Sequence, residues 1–135
     1  MKVLVVGCGR IGARVGETMW RQGHDVVVLD SEEGSFLLLP KEMRAQEGTT
    51  FVGDGALDAD LVEAGIREAD VFVAVAVRDN CNALSAQKAK HIFHVPHVVC
   101  RVGDPVRQEM YNLLGLGAVS PTKVTADLIL EAVKL

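Results

Sequence analysis

The chain begins with MKVLVVGCGRIG, residues 1–12, in which the apolar run 3–6 leads directly into the spacing Gly-x-Gly-x-x-Gly. Gly7 permits a tight turn out of a strand, and Gly9 leaves no Cβ where a diphosphate would approach the backbone. Gly12 lets the following helix pack closely on the sheet. The free N–H groups and the macrodipole at the start of that helix favour an anion. This order of elements predicts a dinucleotide-binding β–α–β unit.

A single acid closes the second apolar run. Asp30 follows Val26–Leu29 and lies 18 residues after Gly12. This is near the spacing of about 20 residues at which a carboxylate accepts hydrogen bonds from a ribose 2′-OH. Because a 2′-phosphate would be repelled there, the sequence favours NAD(H) or an adenine nucleotide over NADP. The alternative is a strand–helix turn without a ligand, since a glycine motif alone is weakly specific.

Composition limits the possible classes of protein. The chain has 135 residues, 49% of them hydrophobic, and a net charge of −4. This length is typical of one domain, and the acidic balance argues against a nucleic-acid partner. The longest apolar run, Val71–Val77, is too short to cross a bilayer, so we expect no direct membrane insertion. A strand that starts at residue 3 leaves no room for a signal peptide, and three irregularly spaced cysteines suggest reduced thiols. We therefore expect a cytoplasmic protein.

Apolar runs alternate with segments of helical periodicity along the whole chain, residues 1–135. The predicted strands are Lys2–Val6, Val26–Leu29, Thr50–Val52, Val71–Val75, His97–Arg101 and, as a sixth strand or a short connection, Gly115–Val119. The segment 31–47 is predicted to be a broken helix because Gly34 and Pro40 interrupt it. Repeated β–α units predict the α/β class: a single doubly wound Rossmann domain with a parallel sheet in the order 3-2-1-4-5-6.

In such a sheet the ligand lies over the carboxyl ends, where strands one and four part. Arg10 is interpreted as a donor to a terminal phosphate or as a solvated side chain, and Asp54 as an adenine contact or part of a plain turn. Arg101 is interpreted as a phosphate or ribose contact, or as the partner of Asp104 or of a neighbouring subunit. The candidate cofactor-binding residues are Gly7, Cys8, Gly9, Arg10, Ile11, Gly12, Asp30, Ser31, Gly53, Asp54, Ala76, Val77, Asn82 and Arg101.

Neither a catalytic set nor a metal site is predicted. Tyr111 has Gly115 rather than a lysine four residues later, and no Gly-x-Ser-x-Gly motif is present. The residues His91, His94, His97 and Cys100 recur every three positions. The predicted change from helix to strand at Pro96 keeps their side chains from converging as metal ligands.

The last predicted helix, Pro121–Leu135, is apolar over most of its circumference. A surface helix has one apolar face, so this helix is expected to bury two. One face would pack on its own sheet and the other on a partner subunit or a following domain. The alternative is that the edge of the sheet covers it completely.

Several ordered motifs together resemble one family, the nucleotide-binding regulatory domain of bacterial and archaeal potassium uptake systems and channels (the Trk/Ktr-type regulator, or KTN/RCK N-lobe). The resemblance covers essentially the whole chain. The matching motifs are the glycine turn 7–12, Asp30, Gly53-Asp54-Gly55, Glu63-Ala-Gly-Ile66, Ala69-Asp70, Val73-Ala-Val75, Asn82 with Ala86–Lys90, Arg101-Val-Gly-Asp-Pro105, Leu114-Gly115 and Ser120-Pro121. Val77-Arg78 departs from the small polar residues often found after the fourth strand.

The resemblance implies a non-catalytic domain that binds NAD(H) or ATP/ADP and gates a membrane-embedded potassium transporter subunit. It implies a homodimer, often within an octameric ring, held at the inner face of the membrane by the transporter and sealed by the final helix. By this likeness the three glycines would hold phosphates, Arg10 a terminal phosphate, Asp30 the ribose and Asp54 the adenine end. Two alternatives stay open: a minimal NAD-dependent oxidoreductase, and a nucleotide sensor of another cation transporter.

Overall fold

The computed structural model describes residues 1–134, which form one six-stranded parallel sheet in the order β3-β2-β1-β4-β5-β6. The strands are β1 (Lys2–Val6), β2 (Asp25–Asp30), β3 (Thr50–Val52), β4 (Val71–Ala74), β5 (His97–Arg101) and β6 (Gly117–Val119). The predicted α/β class and strand order are confirmed. The segment that sequence left as a strand or a connection is the sixth strand, because it pairs with the end of β5.

Within residues 1–134, six α-helices connect the strands or follow them. They are α1 (Arg10–Arg21), α2 (Lys41–Ala45), α3 (Asp58–Glu63), α4 (Asp79–His91), α5 (Pro105–Leu113) and α6 (Pro121–Ala132). The segment after β2 is broken, as predicted: a 3₁₀ helix (Glu33–Leu38) and the short α2 lie on either side of Pro40. Leu135, the predicted end of the last helix, lies outside the described residues.

Two buried clusters lie on opposite faces of the sheet. Alternate residues of β1 contribute to different clusters: Val3 and Val5 belong to one, and Leu4 and Val6 belong to the other. All four side chains are at most 2% exposed. A central parallel strand covered on both faces has this pattern, because successive side chains point to opposite sides. The carboxyl end of β1 is therefore held rigidly where the glycine turn begins.

The last helix does not fit this layered packing. No residue of α6 is buried, and Leu128, Ile129 and Leu130 are 66%, 60% and 63% exposed. The expectation that one face of this helix packs on its own sheet is therefore wrong, as is the alternative that the sheet edge covers it. Periodicity shows how much apolar surface a helix carries, but it does not specify which surface covers it. No helix among residues 1–134 is long and apolar enough to span a membrane.

Candidate functional site

Two glycines of the turn between β1 and α1 are required by the packing of the protein itself. Gly7 has a φ of +109°, and a Cβ there would lie 2.6 Å from the backbone nitrogen of Ala76. A Cβ on Gly12 would lie 1.7 Å from the carbonyl oxygen of Gly7. The first glycine therefore lets the turn pass against the end of β4, and the second lets α1 pack directly on the turn.

Gly9 differs from its two neighbours. Its backbone is extended, with a φ of −84°, and a Cβ there would meet no atom of residues 1–134 within 4 Å. Gly9 is also the N-cap of α1, where no side chain in the described part of the chain caps the helix and no acid occupies the first turn. Since the N–H groups of a first helical turn have no intrahelical partners, they remain available to a ligand. Open space and free donors thus occur at the same position.

Asp30, the last residue of β2, fixes the shape of the turn. One carboxylate oxygen accepts a 2.7 Å hydrogen bond from the backbone N–H of Cys8, and the other accepts a 2.8 Å bond from that of Glu32. Sequence reasoning missed this clamping role, since spacing does not reveal hydrogen bonds across the sheet. A carboxylate has about four lone-pair sites. Both oxygens therefore retain capacity to accept from a ribose diol.

A cleft of about 520 Å³, here called the first cleft, opens over the carboxyl ends of β1 to β4. It brings together nine of the predicted site residues: Gly7, Cys8, Gly9, Asp30, Ser31, Gly53, Asp54, Ala76 and Val77. Arg78 and Cys81, within the loop 76–82 that sequence placed at the wall, also line it, and so do Glu32, Ser35 and Ala56, which were not predicted. Their positions just beyond strand ends were the available signal, because loops at that edge of a parallel sheet converge.

Five predicted site residues do not line the first cleft. Arg10 and Ile11 lie exposed on the first turn of α1, and Gly12 is buried beneath the glycine turn. Asn82 is fully buried, and its side-chain amide exchanges two 2.8 Å hydrogen bonds with the backbone of Ala76. It therefore shapes the loop that forms one wall of the cleft. Arg101 lines a separate, adjoining cleft.

This adjoining space, here called the second cleft, has a volume of about 750 Å³ and extends toward the end of β5. Ala56, Val77, Arg78 and Cys81 line both clefts. The first turn of α4 and Arg101 complete the second cleft. Because of the shared wall, one extended ligand has space to occupy both.

The turn that carries Asp54 is held by its own hydrogen bonds. The carboxylate of Asp54 accepts from the backbone N–H of Ala56 at 2.8 Å, and its own backbone N–H donates to Asp60 at 2.8 Å. Asp54 therefore forms a turn, as one interpretation of the sequence held, and also lines the first cleft. It remains a candidate for contact with the adenine end of a ligand.

The thiols beside the clefts are not poised for nucleophilic chemistry. Burial, and secondly the charge of Asp30, raises the pKa of Cys8 to about 11. The Cys8 thiol donates a 3.4 Å hydrogen bond to the carbonyl oxygen of Ser35. Burial and Asp54 also raise the pKa of Cys81, against a smaller opposing effect of Arg78. A raised pKa lowers the fraction of thiolate, the form of cysteine that acts as a nucleophile.

Known proteins resemble this chain in sequence and in fold. The family model described as the TrkA-N domain matches residues 3–121. The Trk system potassium uptake protein TrkA of Streptomyces coelicolor is 38% identical over 131 residues, which cover 97% of this chain and 57% of that protein. The chain thus spans somewhat more than half the length of this relative.

Two solved structures share the fold. The TrkA-N domain of inner membrane protein ybaL from Escherichia coli aligns with a TM-score of 0.83 at 17% identity, over 98% of this chain and 96% of that one. The Shewanella denitrificans Kef CTD in AMP bound form aligns with a TM-score of 0.73 at 26% identity, over 98% of this chain and 79% of that one. The match to the family model over residues 3–121 shows that the chain belongs to the TrkA-N domain family.

Proposed function

We propose that this chain is a non-catalytic regulatory domain that binds NAD(H) or ATP/ADP in the first cleft and gates a membrane potassium transporter. The observation that carries the proposal is the open, uncapped start of α1 at Gly9, beside the carboxylate of Asp30. The start of a helix favours phosphate, and an acid at the end of the second strand favours a ribose diol. A nucleotide carries both groups, a phosphate and a ribose diol.

The ligand is proposed to lie across the strand ends with its adenine near β3. Asp54 and Gly53 would contact the base, and Asp30 with Ser31 the ribose. The N–H groups after Gly9 would hold the first phosphates, and Arg10, exposed on the first turn of α1, would reach a terminal phosphate. The AMP-bound relative, at 26% identity, supports an adenine nucleotide as the class of ligand.

The name of the Streptomyces relative supports a potassium transport system as the context in which this domain works. The partner is proposed to be a membrane-embedded transporter subunit, with the domain on the cytoplasmic side. The exposed apolar residues of α6 support assembly with a second copy of the chain, since an uncovered patch of this kind marks an interaction site. A change of nucleotide would act by differential affinity for two arrangements of this assembly.

A direct test is calorimetric titration with NAD, NADH, NADP, ATP and ADP, using the chain and its Gly9→Ala variant. The wild-type chain should bind NAD(H) or ATP/ADP more tightly than NADP, because Asp30 repels a 2′-phosphate. Gly9→Ala should retain the fold, since its Cβ meets no protein atom. The same variant should weaken binding at least tenfold, because the methyl group occupies the space for phosphate.

Two outcomes would contradict the proposal: binding of none of the five nucleotides, or affinity of Gly9→Ala equal to that of the wild type. A separate assay tests the oxidoreductase alternative. NADH absorbance is followed in the presence of small carbonyl compounds, and steady oxidation would show that the chain is an enzyme.

A further inference from the structure

The side chain of Lys88 connects two separate elements of the fold. It extends from α4, and its ammonium group donates a 2.8 Å hydrogen bond to the carbonyl oxygen of Ala56 and lies 2.7 Å from the carboxylate of Asp58. Lys88 and Ala56 are 32 positions apart in the chain. The other three ion pairs that residues 1–134 form join residues only three or four positions apart. The contact of Lys88 therefore fixes a distant loop against a helix.

This contact is partly shielded from water. The Lys88 side chain is 19% exposed, whereas the lysine side chains of two other ion pairs are 56% and 72% exposed. Solvent screens an exposed ion pair, so such a pair contributes little. Asp58 is exposed, and the half-buried Ala56 therefore offers the more important acceptor. A charge-assisted hydrogen bond is strong where water is excluded, so Lys88 holds the carbonyl group of Ala56 firmly.

Lys88 holds the turn 53–57, which forms the side of the first cleft that follows β3. The first four residues of this turn line the cleft, and Lys88 does not. Within the turn, Gly55 is buried so closely against the end of β1 that a Cβ there would meet the side chain of Val6. The carbonyl group of Ala56 follows directly and is held by Lys88. Lys88 thus acts on the shape of the cleft from outside it.

The helix α4 holds the wall of the first cleft in two places. Asn82 bonds the backbone of Ala76, which follows β4, and Lys88 bonds the backbone of Ala56, which follows β3. In the order of the sheet, β3 and β4 are separated by β2 and β1. One rigid helix therefore sets the position of two loops that come from different strands.

We propose that Lys88 is a positioning residue of the nucleotide site, which holds the turn 53–57 in the conformation that contacts the adenine end of the ligand. Lys88 does not touch the ligand itself. The inference rests on the nucleotide-binding function proposed above. A turn that is already ordered loses less freedom when a ligand binds, and this preorganisation raises affinity. Without Lys88, binding must first order the turn, while the phosphate contacts at Gly9 stay unchanged.

The test compares the dissociation constants of NAD, NADH, ATP and ADP, measured by calorimetry, for the wild-type chain and three variants. Lys88→Met keeps an unbranched side chain but removes the charge and the donors, and should weaken each nucleotide that binds about fivefold to tenfold. Lys88→Arg keeps the charge and the donors and should retain most of the affinity. Lys90→Met removes the same charge from a residue of α4 that does not line the first cleft, and should leave the constants unchanged.

Hydrogen exchange distinguishes positioning from a general loss of stability. In the ligand-free Lys88→Met variant, the backbone amides of the turn 53–57 should exchange faster than in the wild type, and those of the glycine turn 7–12 should exchange at the wild-type rate. A saturating nucleotide should restore the protection of the turn 53–57. Faster exchange throughout the chain would show that Lys88 only stabilises the fold, and would overturn the inference.

Two binding results would also overturn it. Wild-type constants for Lys88→Met would show that the turn needs no support from α4. Equal weakening by Lys90→Met would show that net charge, rather than the contact with Ala56, raises the affinity. In both cases nucleotide binding in the first cleft stands. Failure of the wild-type chain to bind any of the four nucleotides would instead overturn both proposals.

Discussion

The glycine turn and the α5–β6–α6 edge are built in opposite ways. Around the turn, backbone passes against backbone so closely that Gly7 and Gly12 have no room for a Cβ, and the adjoining β1 residues are almost completely buried. At the edge, neither α5 nor α6 has a buried residue, although both carry large apolar side chains. The residues around the glycine turn are packed and buried by other residues of the described chain. The apolar surface of the second suits a partner, so mutations should affect stability in one region and association in the other.

The largest effect should come from Gly7→Ala. The new Cβ meets the backbone of Ala76 and forces a non-glycine residue into the left-handed region, so we expect a loss of about 3–5 kcal/mol in the free energy of unfolding. Urea denaturation measures it. The matched control is Gly9→Ala, which should lose less than about 1 kcal/mol because its Cβ enters open space. Equal losses at both positions would show that the turn is not packed against β4 as described.

The second largest loss in the free energy of unfolding should come from Asn82→Ala. Its removal leaves the N–H and C=O groups of Ala76 without their 2.8 Å partners, so we expect a loss of about 2–3 kcal/mol. The control at the edge is Asn112→Ala, where one 2.9 Å bond to the backbone of Ala118 is lost from an exposed residue. That variant should lose about 1 kcal/mol. If the edge variant were the more damaging, the contrast between the two regions would be wrong.

Alkaline pH should lower the free energy of unfolding, because the fold favours the protonated form of the buried thiols. Burial raises the pKa of Cys8 and of Cys100 from 9.0 to about 11, with Asp30 and Asp79 adding smaller contributions. Because these pKa values lie above those of the unfolded chain, their stabilisation is complete below pH 9 and is lost as pH rises toward 11. We expect a decrease of about 1 kcal/mol per thiol between pH 9 and pH 10. Urea midpoints at a series of pH values should fall less steeply for the double variant Cys8→Ala, Cys100→Ala, and identical slopes would contradict the assignment.

The smallest effect on folding should come from the exposed face of α6. Replacing Leu128 and Leu130 with serine should change the free energy of unfolding by no more than about 0.5 kcal/mol, since neither side chain is buried. At higher protein concentration the same variant should reduce self-association, measured by sedimentation velocity. Leu4→Ala, in the core, should instead cost about 3 kcal/mol. Unchanged self-association would show that this face of α6 is not part of the proposed dimer contact.

Much of the site was predictable because its elements are local in sequence. The glycine spacing predicted a strand, a turn and a helix start, and nine of the predicted residues line the first cleft. The roles of Asn82 and Asp30 were not predictable in the same way. Asn82 bonds the backbone of a residue six positions away, and Asp30 bonds that of Cys8, 22 positions away, through hydrogen bonds that depend on how loops meet across the sheet. The sequence shows that both residues are polar, but only the tertiary structure determines which groups they hydrogen-bond.

The sequence alone determined the parallel sheet, its strand order and the glycine turn. Alternating apolar periods fix the elements, and the chirality of β–α–β connections leaves few topologies. Only the tertiary structure decided that Gly9, unlike Gly7 and Gly12, faces open space. It also decided that, among residues 1–134, the Nε of Arg101 has no hydrogen-bond partner and no residue of α6 is buried. The physical reason is that local propensity acts over a few residues, whereas burial and the pairing of polar groups depend on segments that are distant in sequence.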